Sequence, residues 1–136
     1  MIASALPLRA EVTFDFIGNT SLIVVPVTIN GQGPYRFLLD TGANKTILFT
    51  AVADSLKIPH RRRAKVLTAG GNVDVSVRAL RTLKVGRAQL EDIEITVTDF
   101  ELLKTLKVDG VLGNDYLRRF RLVIDYDNKV VEIDPA

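Results

Sequence analysis

The feature that most constrains this chain is the shortness of its apolar runs, most of which alternate apolar with polar side chains before a glycine, proline or Asn/Asp turn stops them. That is the period of half-buried strands. Residues 12–17 set Val12, Phe14 and Phe16 against Thr13 and Asp15. Residues 22–29 are rich in Val and Ile but contain Pro26, which has no N–H to donate and so marks an edge strand or a bulge. Asn30-Gly31-Gln32-Gly33-Pro34 then reads as a hairpin turn, and residues 46–49 as a further short strand. Thr50 is expected to cap a helix over 51–56 that Pro59 ends, and residues 60–65 to form a basic loop. Residues 66–69, the tip Gly70-Gly71-Asn72 and residues 73–83 make a long hairpin.

A turn at Val85-Gly86-Arg87 leads into a strand over 88–97, with Leu90, Ile93 and Ile95 offered for burial. Residues 99–106 place Phe100, Leu103 and Leu106 on one face of a short amphipathic helix or loop. Asn114 is expected to cap a helix over 115–119, and strands over 121–126 and 129–133 to pair across Asp127-Asn128. The sum is a mostly β chain with one or two short helices, either a small closed β-barrel or a pair of packed sheets.

Its 136 residues, with no repeat, low-complexity tract or linker, fit one domain over 1–136 with a real core. A formal charge of +2, with no aromatic residue interleaving Arg61-Arg62-Arg63, falls short of a nucleic-acid-binding surface. Without cysteine there are no disulfides, thiolate nucleophiles or thiolate metal sites, and the redox compartment stays open. A lone His60 excludes a multi-histidine zinc site and leaves little for a Ser-His-Asp triad. No membrane span is expected, since no apolar run reaches about 18 residues. The opening Met1-Ile2-Ala3-Ser4-Ala5-Leu6 lacks the basic region of a signal peptide and serves equally as the edge of a longer protein, so localisation is unknown.

One stretch asks for chemistry. Phe37-Leu38-Leu39 delivers a carboxylate, Asp40, into Thr41-Gly42-Ala43, after which the chain turns polar at Asn44 and Lys45. Burying a carboxylate beside Leu39 and Ala43 costs several kcal/mol, on the order of a lost polar group's solvation, unless it is paired or hydrogen-bonded. Gly42, without a Cβ, lets backbone come close to that carboxylate or to a second chain. A polar turn after a strand is the bland alternative for the tripeptide alone. Further on, Val111-Leu112-Gly113-Asn114 repeats the pattern of two apolar residues and a glycine, here opening a short helix.

With these two elements in order, the chain resembles the retropepsin-like aspartic proteases, including single-domain bacterial members, from about residue 24 to residue 133. The resemblance implies a small closed barrel of the retropepsin type. It makes Asp40 the catalytic residue, Thr41, Gly42 and Ala43 its support, and Val111, Leu112, Gly113 and Asn114 a structural motif. Ala69, Gly70, Gly71 and Asn72 become the tip of a mobile flap. No metal and no cofactor is implied. Since the reaction needs two carboxylates and the chain has one Asp-Thr-Gly, the resemblance implies a homodimer that supplies Asp40 twice and holds a peptide or protein substrate in extended form. The chain departs from many retroviral members in having Asn44 and Asn114 where those carry an acid and an arginine that pair, so the site must be braced differently. A catalytically silent dimeric peptide-binding module on the same fold remains the alternative, and a cation site from Asp109, Asp115, Asp125 and Asp127 a more distant one. For the dimer, Ile2, Leu6 and Leu8 near one end and Val130, Val131 and Ile133 near the other are expected to pair between subunits.

Overall fold

The computed structural model describes residues 11–68 and 70–135. Asn30 and Gly31, both at positive φ (50° and 77°), make a two-residue turn between β3 (Ile23–Ile29) and β4 (Gln32–Leu39). β5 (Ile47–Leu48), α1 (Thr50–Ser55), β6 (His60–Thr68), β7 (Gly71–Val85) and β8 (Ala88–Val97) follow, then α2 (Glu101–Lys104), β9 (Gly110–Leu112) and α3 (Asn114–Leu117). β1 (Glu11–Thr13) and β2 (Asp15–Phe16) precede them, and β10 (Phe120–Asp125) and β11 (Val130–Pro135) come last.

Six strands close a barrel in the order β3-β4-β9-β5-β8-β7, with β7 returning to β3 at Thr28↔Lys84 and Ile29↔Leu83. Pro26 sits where its missing N–H does no harm, between the stretch of β3 that pairs with β2 (Ile23, Val24) and the stretch that pairs with β7. The barrel interior holds Val25, Val27, Ile29, Leu48, Leu83, Val85 and Leu112, all wholly buried. Each such side chain contributes roughly 1.5–3 kcal/mol of burial. Alternation splits the strands between two apolar clusters. Leu39, Leu48 and Leu112 enter the interior, whereas their neighbours Leu38, Ile47 and Val111 form a second cluster on the opposite face of the sheet.

Outside the barrel stands a three-stranded sheet, β1-β11-β10. The strand expected over 12–17 is thereby cut in two. The Phe14 amide donates to the Lys129 carbonyl at 2.9 Å and its ring is buried, so the chain leaves the small sheet at β1 and joins the barrel at β2. β11 lies between β1 and β10, so Val130 and Val131 are paired on both sides and have no free edge for a partner subunit, while Ile133 pairs with Leu122 of β10. Ile2, Leu6 and Leu8 fall outside the described residues.

Three local expectations are corrected by long-range partners. The basic loop over 60–65 is instead part of β6, an edge strand whose Arg62 meets Glu94 at 2.9 Å and whose charges guard its open side. Thr50 does not cap α1. Phe49 occupies the cap position, and Asp99, far along the chain, accepts the Thr50 N–H at 3.1 Å. The last hairpin turns over residues 126–129, not two residues, because Asp125 pairs with Val130 and its carboxylate binds the Asn128 amide and side chain.

Candidate active site

β4 carries Asp40 to the end of the barrel, where the loop 40–46 crosses to β5. Between those two strands lies β9, parallel to β4 (Leu39↔Leu112) and antiparallel to β5 (Ile47↔Val111). The Asp40 N–H extends this ladder by donating to the Leu112 carbonyl at 3.1 Å. Its carboxylate is half-buried, not enclosed as the apolar run suggested, and Oδ1 accepts the Gly42 N–H at 2.9 Å. A Cβ on Gly42 would stand 3.3 Å from that oxygen, so the missing side chain is what allows this approach. Thr41 and Gly42 are exposed, and Ala43 packs into the second apolar cluster.

The brace beneath the loop is made of hydrogen bonds. Asn114 Nδ2 donates to the Thr41 carbonyl at 2.6 Å, and the Asn114 N–H to the Ala43 carbonyl at 2.8 Å. Asn114 therefore does not cap α3, as expected from its position. Gly113 holds the cap position, while Asp115 Oδ1 accepts the Tyr116 N–H at 2.8 Å. The same oxygen receives the Thr46 N–H (2.9 Å) and hydroxyl (2.7 Å), and the Thr46 oxygen accepts the buried Gly113 N–H at 3.0 Å. Thr46 and Asp115 thus tie the end of the Asp40 loop to the start of α3. The only signal of this in the sequence is a buried-type strand opening on a threonine and an acid in the first turn of a helix.

Two glycines admit the close packing. A Cβ on Gly113 would meet the Lys45 carbonyl oxygen at 2.5 Å, and one on Gly110 would strike the Ile47 carbonyl and the Phe37 ring. α3 is anchored by Tyr116, whose hydroxyl donates to the Ala88 carbonyl at 2.5 Å and whose ring lies 4.9 Å from that of Phe120. Burial pushes the Tyr116 phenol well above its ordinary range, so it stays a neutral donor.

The β6–β7 hairpin pairs Thr68 with Gly71. Thr68 Oγ1 donates to the Gly71 carbonyl at 2.8 Å and accepts the Gly70 N–H at 3.2 Å, Gly71 has φ 107°, and Asn72 is exposed opposite Leu67. Ala69 falls outside the described residues. A cleft of about 360 Å³ is lined by Lys45, Asp115, Tyr116 and Arg119, among others, and not by Asp40, which stands on the open end of the barrel. The acids proposed for a cation are engaged separately: Asp109 accepts the Arg36 N–H at 2.8 Å, Asp115 holds Thr46, and Asp125 holds Asn128. Among the described residues no three such side chains gather.

A protein-family model described as "Aspartyl protease" matches residues 25–116, a span that runs from β3 through Asp40 and the hairpin to Tyr116. The chain belongs to the aspartyl protease family. Among solved structures, a retropepsin-like aspartic protease from Rickettsia conorii is similar with a TM-score of 0.63 at 21% identity, over 90% of this chain and 87% of that one. The EIAV protease complexed with the inhibitor HBY-793 is similar with a TM-score of 0.57 at 26% identity, over 76% of this chain and 92% of that one. This aspartyl protease domain therefore has the retropepsin-like closed barrel. Human Protein DDI1 homolog 1 is 27% identical over 126 residues, 88% of this chain but 29% of that protein. DNA damage-inducible protein 1 of Eremothecium gossypii is 25% identical over 130 residues, 90% of this chain and 25% of that protein. The chain thus spans less than a third of these relatives' length.

Proposed function

We propose that this chain is an aspartic endopeptidase whose single domain, 1–136, is half of an active site that a second copy completes. The observation that carries the reading is the placing of Asp40: one carboxylate, half-exposed at the open barrel end and oriented by the Gly42 amide, in a chain with no second Asp-Thr-Gly. Two Asp40 side chains brought about 3 Å apart cannot both ionise, so they share one proton. The ionised carboxylate takes a proton from a bound water as its oxygen attacks the peptide carbonyl carbon, and the protonated one donates to the carbonyl oxygen. In the tetrahedral diol a carboxyl proton passes to the amide nitrogen and the C–N bond breaks. The products are a carboxylic acid and an amine, and no cofactor enters.

Thr41, exposed at the loop, is the residue that meets its copy across the axis. Among the described residues the outer strands of the small sheet are β1 and β10, and the six residues of β10 are long enough to pair with their two-fold copy. The hairpin tip Ala69, Gly70, Gly71 and Asn72 closes as a flap on a substrate held by main-chain hydrogen bonds.

Asp40→Asn keeps the fold and loses peptide cleavage, read with a quenched peptide library at mildly acidic pH alongside thermal melting. Specific activity falls on dilution in step with the dimer seen by sedimentation. A monomer with concentration-independent activity, or an Asp40→Asn protein that still cuts, overturns the mechanism. A wild type that binds peptides without cutting them leaves the peptide-binding module.

A further inference from the structure

We propose that a cleft at the far end of the barrel from Asp40 is a second binding site, and that it takes a small polyanion, a phosphorylated or polycarboxylate molecule with an apolar body. The inference goes beyond the peptidase reading and uses none of the residues around Asp40.

The cleft has a volume of about 460 Å³, and Gln32, the first residue of β4, stands on its wall. Asp40 follows the last residue of the same strand, so the two places lie roughly 25 Å apart along it at about 3.3 Å per residue. Space of this order suits a small organic molecule better than a single inorganic ion. Leu56, Pro59 and Leu80 supply apolar lining, and Lys57, Arg61 and Arg81 bring three cations against one acid, Asp92.

Each cation is set on the cleft by a break in regular structure. Lys57 follows α1 at φ 55°, with its N–H on the Asp54 carbonyl (3.0 Å) and that of Ile58 on the Ala53 carbonyl (3.1 Å). Glycine is the usual residue at such a helix end, and here the position carries an ammonium. Arg61 is the residue left over where the β6–β7 register shifts between His60↔Arg78 and Arg62↔Val77, a bulge of the kind that re-aims a side chain. The β7–β8 ladder registers Leu80↔Ile93 and Thr82↔Glu91 but not the step between them, Arg81 with Asp92. Asp92 has φ 52° there, and the Arg81 N–H donates instead to Asn30 Oδ1 at 2.9 Å. Of the five described non-glycine residues at positive φ, Asn30, Lys57 and Asp92 line this one cleft. Such backbone persists only where its surroundings over-determine it, and it gathers at binding sites.

The chain leaves these charges largely unanswered. Among the described residues neither Lys57 nor Arg81 has an ion-pair partner, and Arg61 meets Glu94 only at 3.4 Å while Arg62 holds the same side chain at 2.9 Å. Like charges gathered at one cleft repel each other. A ligand with two or more negative charges relieves that repulsion and accepts charge-assisted hydrogen bonds from the guanidinium groups, while its body rests on the apolar lining.

The test titrates the full chain with two probes, inorganic pyrophosphate and citrate, by calorimetry at low salt, with backbone amide shifts in NMR spectra to place the site. Saturable one-to-one binding is expected, with shifts centred on Asn30, Lys57, Arg61 and Arg81. Arg81→Gln is expected to weaken it about tenfold, the loss of one charge-assisted contact. Lys57→Gly is expected to weaken it likewise while melting no lower than wild type, because glycine relaxes the backbone at φ 55°. Lost affinity in that variant is therefore not lost folding. Asp92→Asn is expected to tighten binding, since it removes the one opposing charge. Arg119→Gln, which changes an exposed cation outside this cleft, is the control and leaves affinity unchanged. Failure of both probes to saturate overturns the site. So does an Arg119→Gln loss equal to that of Arg81→Gln, which marks the binding as general attraction to cations. Neither result touches the peptidase reading, which is decided by cleavage in wild type and Asp40→Asn.

Discussion

Two glycine-bearing loops of this protein look alike in sequence and differ in what their glycines are for. The loop after β4 and its partner at Gly113 are pressed together so closely that a Cβ at Gly113 would lie 2.5 Å from the Lys45 carbonyl oxygen and 2.6 Å from its carbon. At the hairpin tip, a Cβ on Gly70 would find nothing nearer than the Thr68 hydroxyl at 3.8 Å, and one on Gly71 would find nothing within 4 Å. The first glycine serves close packing, while Gly71 serves a φ of 107° that other residues rarely adopt. Packing of the first kind fixes a carboxylate to within fractions of an ångström. An open tip places no such constraint on the hairpin.

Substituting each glycine breaks or confirms that contrast, and the largest effect is expected at Gly113. Gly113→Ala forces backbone apart beneath Asp40, destabilising the protein by about 3 kcal/mol in denaturant unfolding. Misplacing the carboxylate should also lower kcat/KM on the order of 100-fold. An Ala variant with wild-type stability would mean that the loop is as loose as the hairpin. Next comes Thr46→Val, nearly isosteric, which leaves the buried Gly113 N–H without its acceptor and strips a donor from Asp115. A loss of about 2 kcal/mol is expected, and a Thr46→Ser variant that recovers most of it would assign the loss to the hydroxyl.

A third region, the segment 99–107 that carries α2, falls between the two extremes and answers to pH. At Asp99 burial works against ionisation, but hydrogen bonds from Thr50 and the charge of Lys104 outweigh it, holding the carboxyl below its ordinary value. A depressed folded-state pKa means that the stabilisation is present above the unfolded value, about 3.9, and is lost as pH falls through the lower folded one. Melting temperature followed from pH 6 down to 2 should therefore drop less steeply below about pH 4 in Asp99→Asn than in wild type. Parallel curves would remove Asp99 as the acid-sensitive tie. The smallest effect belongs to Gly70→Ala, with room for its methyl group and a stability change within about 0.5 kcal/mol. If the tip closes as a flap, it is the substrate KM that moves, by a few-fold.

Much of this was legible in the residues. Leu38-Leu39-Asp40-Thr41-Gly42-Ala43 and Val111-Leu112-Gly113 pointed to both halves of the loop system together, because the first alone reads equally as a polar turn after a strand and only the second, in order and at its spacing, weighs against that. What could not be read were the contacts between positions far apart in the chain. Asp99 capping Thr50, Asp115 bracing Thr46 and Arg62 meeting Glu94 each join residues more than 30 positions apart. Propensity near Thr50 and Asn114 favoured caps from their own side chains, and the folded chain supplied other ones.

By itself the sequence determined the strand periods, the tight turn at Asn30-Gly31 and the position of the carboxylate, since these depend on neighbours one to four residues away. Tertiary structure alone decided that β9 slides between β4 and β5, that β11 takes the middle of its sheet, and that Phe100, Leu103 and Leu106 pack against the cluster of Leu38, Ile47 and Val111. Strand alternation tells which side chains share a face but not which face meets which. That is settled only when the barrel closes and every apolar surface competes for the same limited interior.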